Sequence, residues 1–391
     1  MTKEMAILDQ RTAAVITIYN VPNYGSVLQA YATQQLIEKF GWKCDIIQYR
    51  YPNEWHIAQD QHRKTKFYSR VAEYLKLGVN SRQRRKIELF RRRYYHFTQK
   101  FNSLDELNES DWSKYNVLIA GSDQLWNAKY TLGDKAFLLS FAPNGIKRIS
   151  LSSSCATSRL PEQYVESFKK ELEKFSAISV REENSKKALI EQLRIHKSVK
   201  VISDPTLLLT AEEWQKSLSL EMECQEGSKE PYILFYRLDY AFSEPNFILY
   251  SYDVLRYFIK KTGIQRVIAI SGYSKECICG IKMEQAGDVT PIQFVSLFSH
   301  AALVVTSSFH GTAFSLNFCR PLVSITPSNT SKDDRQASLL KLLGLEQCIS
   351  PVGSNIKQVN PVYDKDKLQI RLSKMREDGL NWIDKALNIT D

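Results

Sequence analysis

The stretch AVITIYNVPNYGSVLQAYATQQLIEKFGWKCDIIQY, residues 14–49, decides the fold class. Ala14–Tyr19 is an apolar run of strand length, and the polar loop Asn20–Gly25 follows it. From about Ser26 to Phe40 apolar residues recur at helical spacing, Gly41 ends the helix, and Cys44–Tyr49 is a second strand-length run. A strand, a helix and a second strand in this order form the repeating unit of a parallel sheet.

The alternation continues outward. Strands are expected at Asn116–Ala120, Arg148–Ser153, Ala177–Val180 and Val199–Ser203, with a helix near Glu183–Leu193. A second series begins at Tyr232–Leu238. It runs through a helix near Asn246–Lys261, strands Arg266–Ile270 and Leu303–Thr306, a helix Thr312–Cys319 and a strand Leu322–Ile325. The polar stretch Glu221–Glu230 separates the two series, and a long helix over about Asp364–Leu387 ends the chain. The expected fold class is therefore α/β: two Rossmann-like domains facing a cleft, over residues 12–220 and 231–362, followed by a C-terminal helix in 363–391. Ligands are expected at the carboxyl ends of the strands.

Composition bounds the rest. A chain of 391 residues with 43% hydrophobic and 11% aromatic residues is packed rather than disordered, and its length implies two or three domains. No apolar run reaches the roughly 20 residues of a membrane helix, and no apolar stretch follows Met1-Thr2-Lys3-Glu4 as in a signal peptide. Seven scattered cysteines suit free thiols in a reducing compartment, and the expected location is cytoplasmic. Cys277 and Cys279 form a C-x-C without a second pair, so no metal site is expected; Cys155 reads as a buried thiol rather than a nucleophile.

The net charge of +10 is concentrated. Residues 61–100 hold 13 Lys and Arg against two Glu, so the remainder of the chain is close to neutral. Ile87, Phe90, Tyr94 and Phe97 fall at helical spacing there and leave Arg82, Arg84, Arg85, Lys86, Arg91, Arg92 and Arg93 on exposed arcs. Such a face is either simply solvated or a patch for an anionic carrier or membrane surface, with residues 82–93 making a peripheral contact at the inner membrane face. No nucleic-acid-binding motif accompanies it, so nucleic acid ranks last as a partner.

Four junctions carry candidate chemistry. Asn23-Tyr24-Gly25-Ser26 places a Gly at a helix start after a strand, where free N–H groups attract an anion or an N-cap simply closes the helix. Gly121-Ser122-Asp123-Gln124-Leu125-Trp126 offers a carboxylate for sugar hydroxyls and an indole to stack on a ring, or a cap followed by a core Trp. Arg181, at a strand end in SVREENS, suits a bidentate anion or a pair with Glu182 or Glu183. Ser307-Ser308-Phe309-His310-Gly311 sets a His among hydroxyls at a strand–helix switch, where it can donate a proton or bind an anion, or serve only as the structural residue a lone His more often is. Arg237 and Arg335 complete a possible cationic set.

The runs NYGSVLQAYATQQL, VLIAGSDQLWN, SVREENS, SDPTLLL and TSSFHGTAFSLNFCRPLVSI together resemble the polysaccharide pyruvyl transferase family across most of residues 14–345. The resemblance implies a GT-B-like fold whose C-terminal helix returns to the first domain. It implies transfer of pyruvate from phosphoenolpyruvate to a sugar diol of a cell-surface polysaccharide precursor, as a cyclic ketal, without a cofactor. It places Arg181 and His310 at the donor, with His310 as acid, and Gly311, Ser308, Arg237 and Arg335 are the further candidates on the donor side. Asn23, Tyr24, Gly25, Ser122, Asp123 and Trp126 fall on the side of the glycan or lipid-linked sugar acceptor, with Asp123 as base. One departure stands out: many members carry Arg-Leu-His where this chain has Ser308-Phe309-His310. Arg335 or Arg237 then substitutes for the missing cation, or the donor differs. The alternatives are a GT-B-type transferase using a nucleotide-sugar and a non-catalytic glycan- or carrier-binding protein.

Overall fold

The computed structural model describes residues 11–50, 79–220, 230–238, 244–270, 277–278, 280–329 and 335–389. Most of the first half of the basic window (residues 61–78), most of the polar stretch (221–229) and Cys279 lie outside the described residues.

The first sheet is built from β1 (Thr12–Ile16), β2 (Lys43–Tyr49), β3 (Phe97–Phe101), β4 (Val117–Ala120), β5 (Lys147–Ser153), β6 (Ala177–Val180) and β7 (Val199–Val201). Its order is β3-β2-β1-β4-β5-β6-β7 and every pairing is parallel. Its central strands are buried on both faces, which is why β1 and β4 read as continuous apolar runs rather than alternating ones.

The second sheet contains β8 (Ile233–Tyr236), β9 (Val267–Ala269), β12 (Glu284–Gln285), β13 (Leu303–Thr306), β14 (Leu322–Thr326) and β15 (Ile349–Pro351). A small antiparallel pair, β10 (Cys277–Ile278) and β11 (Ile281–Lys282), stands beside it. The order is β12-β9-β8-β13-β14-β15, again all parallel. Both sheets reverse strand order once near the middle, at β1/β4 and at β8/β13, and these are the switch points where doubly wound sheets hold ligands.

Nine helices matter below: α1 (Tyr24–Lys39), α2 (Val79–Tyr94), α3 (Pro205–Leu208), α4 (Ala211–Leu218), α5 (Phe247–Thr262), α6 (Pro291–His300), α7 (Phe309–Asn317), α8 (Arg335–Leu342) and α9 (Lys365–Asn388). Helix α1 is buried nearly all round because it lies between the first sheet and the helices of the second unit. There Tyr24 stacks on Phe294 at 4.7 Å, and Trp214 packs between Tyr31 at 5.8 Å and Phe314 at 5.2 Å. Asn317 donates to the carbonyls of Thr206 and Leu209 at 2.9 and 2.8 Å and accepts from Arg376 at 3.1 Å. Helix α9 crosses from the second unit to the first: Arg371 Nη1 donates to the Leu343 carbonyl, while Arg11 Nη1 donates to Asn388 Oδ1 at 2.7 Å. The helix thus returns to the first unit, and the architecture is the GT-B-like α/β arrangement of two parallel sheets about a cleft.

The basic window differs from its sequence reading. Helix α2 stops at Tyr94, and Phe97 belongs to β3, the edge strand beside β2. Three apolar residues at helical spacing continue by chance into a fourth that is a strand residue, because a spacing of three fits either element at a boundary. Several of the arginines are also engaged within the fold. Arg82 pairs with Asp288 of the second unit at 2.6 Å, and Arg91 donates to the Tyr19 carbonyl at 3.0 Å while pairing with Glu88.

Candidate functional site

Two strand–helix junctions meet across the cleft. From β1 the chain turns through Asn23, whose Oδ1 accepts from the N–H groups of Gly25 and Ser26 at 2.8 and 3.3 Å and caps α1. From β13 it turns through Ser308, whose Oγ accepts from Gly311 N–H at 3.3 Å and caps α7. Helix α7 therefore starts at Phe309, three residues before the expected Thr312, and His310 sits in its first turn. The two helix starts are nearly in contact. A Cβ on Gly25 would lie 2.1 Å from His310 Nδ1, so only glycine lets the imidazole sit there.

Beneath this contact is a buried cluster of charge. Asp204 is fully buried, and its Oδ2 accepts from Arg181 Nη1 at 2.9 Å and from Ser122 Oγ at 2.8 Å. Its Oδ1 accepts from Thr206 N–H and Oγ at 3.0 and 2.7 Å, which caps α3. His310 Nε2 stands 3.7 Å from Asp204 Oδ2, beyond hydrogen-bond distance. Burial pushes the Asp204 carboxyl up, but the neighbouring His310 and Arg181 and the Thr206 N–H outweigh it and hold the group far below the usual carboxylate range.

Arg181 is the other centre of the cluster. Its Nη2 lies 3.8 Å from Asp123 Oδ1 and its Nε 3.6 Å from Glu182 Oε2, and the ring of Phe309 lies 4.4 Å from the guanidinium. Asp123 sits in the left-handed region, with φ at +82°, and its Oδ2 accepts from Ser26 Oγ at 2.6 Å. That conformation is uncommon for a non-glycine residue and aims the carboxylate back at α1. Arg181 Nε and Nη2, Glu182 Oε2 and His310 Nε2 are buried without a hydrogen-bond partner. Unsatisfied buried polar atoms gathered in one place make this region a candidate binding site. A pocket beside His310 is lined by Asn23, Ser26, Asp123, Ser308, His310 and Arg335, among others, whereas Arg181 and Glu182 line a cavity on the other side of Phe309.

With that geometry in place, the chain can be set beside known proteins. The sequence model of one family, described as polysaccharide pyruvyl transferase, matches residues 23–329. The chain belongs to the polysaccharide pyruvyl transferase family. No curated protein matches it. Among solved structures it is similar to the MnaA–UDP co-structure from S. aureus, at 9% identity and TM-score 0.49, over 92% of this chain and 94% of that one. It is also similar to a UDP-GlcNAc 2-epimerase from Neisseria meningitidis bound to UDP-GlcNAc, at 11% identity and TM-score 0.47, over 97% of each chain. A third is the E. coli ADP-heptose lps heptosyltransferase II, at 10% identity and TM-score 0.38, over 93% of this chain and 99% of that one. At these scores the likenesses carry no argument about the chemistry of this chain.

The candidate site residues divide into four groups. Asn23, Asp123, Ser308, His310 and Arg335 line one pocket; Arg181, expected at the donor, does not line it but stands 3.8 Å from Asp123 and lines the neighbouring cavity. Gly25 and Gly311 act through the backbone: Gly25 admits His310, and a Cβ on Gly311 would fall 2.3 Å from Thr306 Oγ1. Ser122 is buried below the pocket, where it donates to Asp204 instead of facing an acceptor.

Three residues leave the site altogether. Trp126 is completely buried, and its Nε1 donates to the Phe137 carbonyl at 3.0 Å, so the indole has no face to offer a sugar. Tyr24 is stacked on Phe294, and its hydroxyl donates to the Val289 carbonyl at 2.7 Å, which makes it a strut between the units. Arg237 turns under β8, with its guanidinium 4.7 Å from the Tyr252 ring and Nη1 3.2 Å from Ser251 Oγ. Of the two cations considered in place of the family's missing arginine, it is thus Arg335 that shares the pocket with Ser308 and His310. Asp204 and Glu182 are not among the site residues that the sequence suggests, although both lie inside runs that carry the family resemblance. An Asp before a Pro reads as a helix cap, and Asp204 is one; its second role needs Arg181 and His310 to be brought to it. Cys155 is buried, and burial pushes its thiol up, away from the reactive range.

Proposed function

We propose that this protein transfers the pyruvyl group of phosphoenolpyruvate to a diol of a polysaccharide precursor, forming a cyclic ketal and releasing phosphate. The observation that carries the reading is the convergence of Asn23, Asp123, Ser308, His310 and Arg335 on one pocket at the facing switch points of the two sheets. Family membership supports the class of reaction.

In this mechanism His310 gives a proton to the methylene carbon C3 of the enol. The double-bond electrons form the new C–H bond and leave C2 electron-poor. One sugar hydroxyl then bonds to C2 and loses its proton to Asp123, and the C2–O bond to phosphate breaks as the second hydroxyl bonds to C2. The two hydroxyl protons replace the one spent on C3 and the one taken up by the departing phosphate, so the sum is phosphoenolpyruvate plus diol to ketal plus phosphate. Arg335 supplies the positive charge that the pocket needs for the donor's carboxylate or phosphate, in place of the arginine found in many family members. Arg181 and Asp204 hold His310 and Asp123 in register.

The test is release of inorganic phosphate from phosphoenolpyruvate that depends on a glycan acceptor, with the ketal identified on the product by mass and carbon NMR. Thermal stabilisation by nucleotide diphosphates, with no response to phosphoenolpyruvate, would instead favour a nucleotide-sugar transferase.

A further inference from the structure

We propose that a second cavity, divided from the His310 pocket by Phe309, is a binding site for a neutral saccharide unit. The cavity has a volume of about 520 Å³ and lies between the carboxyl ends of β6 and β7, helix α8 and the middle of α9. That is within the range of small-molecule sites and ample for one or two sugar rings. Phe309 lines both this cavity and the His310 pocket.

The chemistry of the lining selects the ligand. Val201, Ile202, Leu339, Leu343 and Met375 make an apolar floor. Helix α9 presents Arg371, Lys374 and Asp378 at the rim, three and four residues apart and therefore on one face. The lining as a whole holds three cationic side chains, Arg181, Arg371 and Lys374, against the four carboxylates of Glu182, Glu183, Asp204 and Asp378. It therefore has no positive surplus with which to recruit a phosphate.

Two buried atoms at the inner wall sharpen the choice. Arg181 Nε and Glu182 Oε2 have no hydrogen-bond partner and are 3.6 Å apart, too far to satisfy each other. A hydroxyl serves both at once, accepting from the guanidinium N–H and donating to the carboxylate. An anion would serve the first and be repelled by the second, and an aliphatic chain would serve neither. A sugar ring combines a rim of such hydroxyls with an apolar C–H face for the floor. This inference concerns binding alone and holds whatever donor the His310 pocket takes.

The experiment titrates the full chain with lactose, cellobiose and maltose by calorimetry, and maps protection of residues 338–343 and 371–379 by hydrogen–deuterium exchange. Inorganic phosphate and octyl sulfate are the charged and amphiphilic comparisons. Leu342, which is 63% exposed at the mouth, is changed to Trp to obstruct entry, and Asp378→Asn removes the rim charge and replaces one of its two acceptor oxygens by a donor. Thermal unfolding verifies that both variants fold. At least one disaccharide should bind with protection of both segments; Asp378→Asn should weaken it by about 10-fold, a loss matching one hydrogen bond to a charged group, and Leu342→Trp should remove the protection by blocking the mouth. Protection of α8 and α9 should survive in His310→Gln. The proposal is overturned if no disaccharide protects these segments, if Leu342→Trp leaves protection intact, or if phosphate or octyl sulfate gives the stronger protection.

Discussion

Asp204 accepts hydrogen bonds from Arg181, Ser122 and Thr206 while fully buried, and it stands 3.7 Å from His310. Changing it to Asn leaves the Arg181 charge in a dry site, and loss of one partner of a buried ion pair costs about 3–5 kcal/mol. The pH dependence has a definite sign. The folded-state pKa of Asp204 is depressed, so its stabilisation is complete above the unfolded value near 4 and is lost as pH falls toward the lower folded value. Urea unfolding should show a constant stability gap between wild type and Asp204→Asn from neutral pH down to about pH 4, narrowing below it. A gap that widens on acidification would contradict the assignment. Gly25 gives a second test at this scale. Its Cβ would overlap the His310 ring, so Gly25→Ala should displace the imidazole and reduce turnover by about 10²-fold, the effect of a misplacement near 1 Å. Unimpaired kinetics in a folded Gly25→Ala protein would remove His310 from the mechanism. At this scale the sequence is least informative about aromatics: Tyr24 opens α1 and Trp126 follows β4 in a loop, both beside the site, yet both face the core. The direction of a side chain at a strand–helix junction depends on tertiary contacts, here with residue 137 for Trp126 and with the distant residues 289 and 294 for Tyr24.

Strands and helices were far more legible, because a parallel sheet covered on both faces leaves unbroken apolar runs such as Val117–Ala120 and Leu303–Thr306. The exceptions are edge elements. Strand β3 is only partly buried, and its sequence FTQKF carries the polar residues an edge tolerates, so it merged into the basic helix before it. Helix α7 starts three residues before the one its sequence suggests, because Ser308 caps it from within a hydroxyl-rich run. The basic helix α2 also changes in meaning once its partners are seen. Arg91 is mostly buried against Tyr19 and Glu88, whereas Arg85 and Arg93 are exposed. If this face meets an anionic surface, Arg85→Ser with Arg93→Ser should lower sedimentation with anionic vesicles and leave neutral vesicles unaffected. Arg91→Ser should instead lower the melting temperature. Equal sedimentation with both lipids would leave α2 a solvated face that braces the second unit through Arg82 and Asp288.

Across the whole molecule, the cleft is held by direct packing between the units. Asn317 bridges the Thr206 and Leu209 carbonyls to Arg376, and Trp214 fills the space between α1 and α7. Trp214→Ala should cost about 3–5 kcal/mol in denaturant unfolding, as for other large aromatics deleted from a core. A cost under about 1 kcal/mol would show that the units are not joined there. Two sheets of like order, each with its switch point on the cleft, explain how motifs spread over residues 23–310 reach one pocket. The most direct test of the central claim is acceptor-dependent phosphate release from phosphoenolpyruvate, measured for wild type and His310→Gln at saturating donor. The account predicts turnover in wild type and a loss of about 10²–10⁴ in the variant, with donor binding retained. Wild-type turnover that His310→Gln leaves intact, or no phosphate release with any glycan diol, would contradict it.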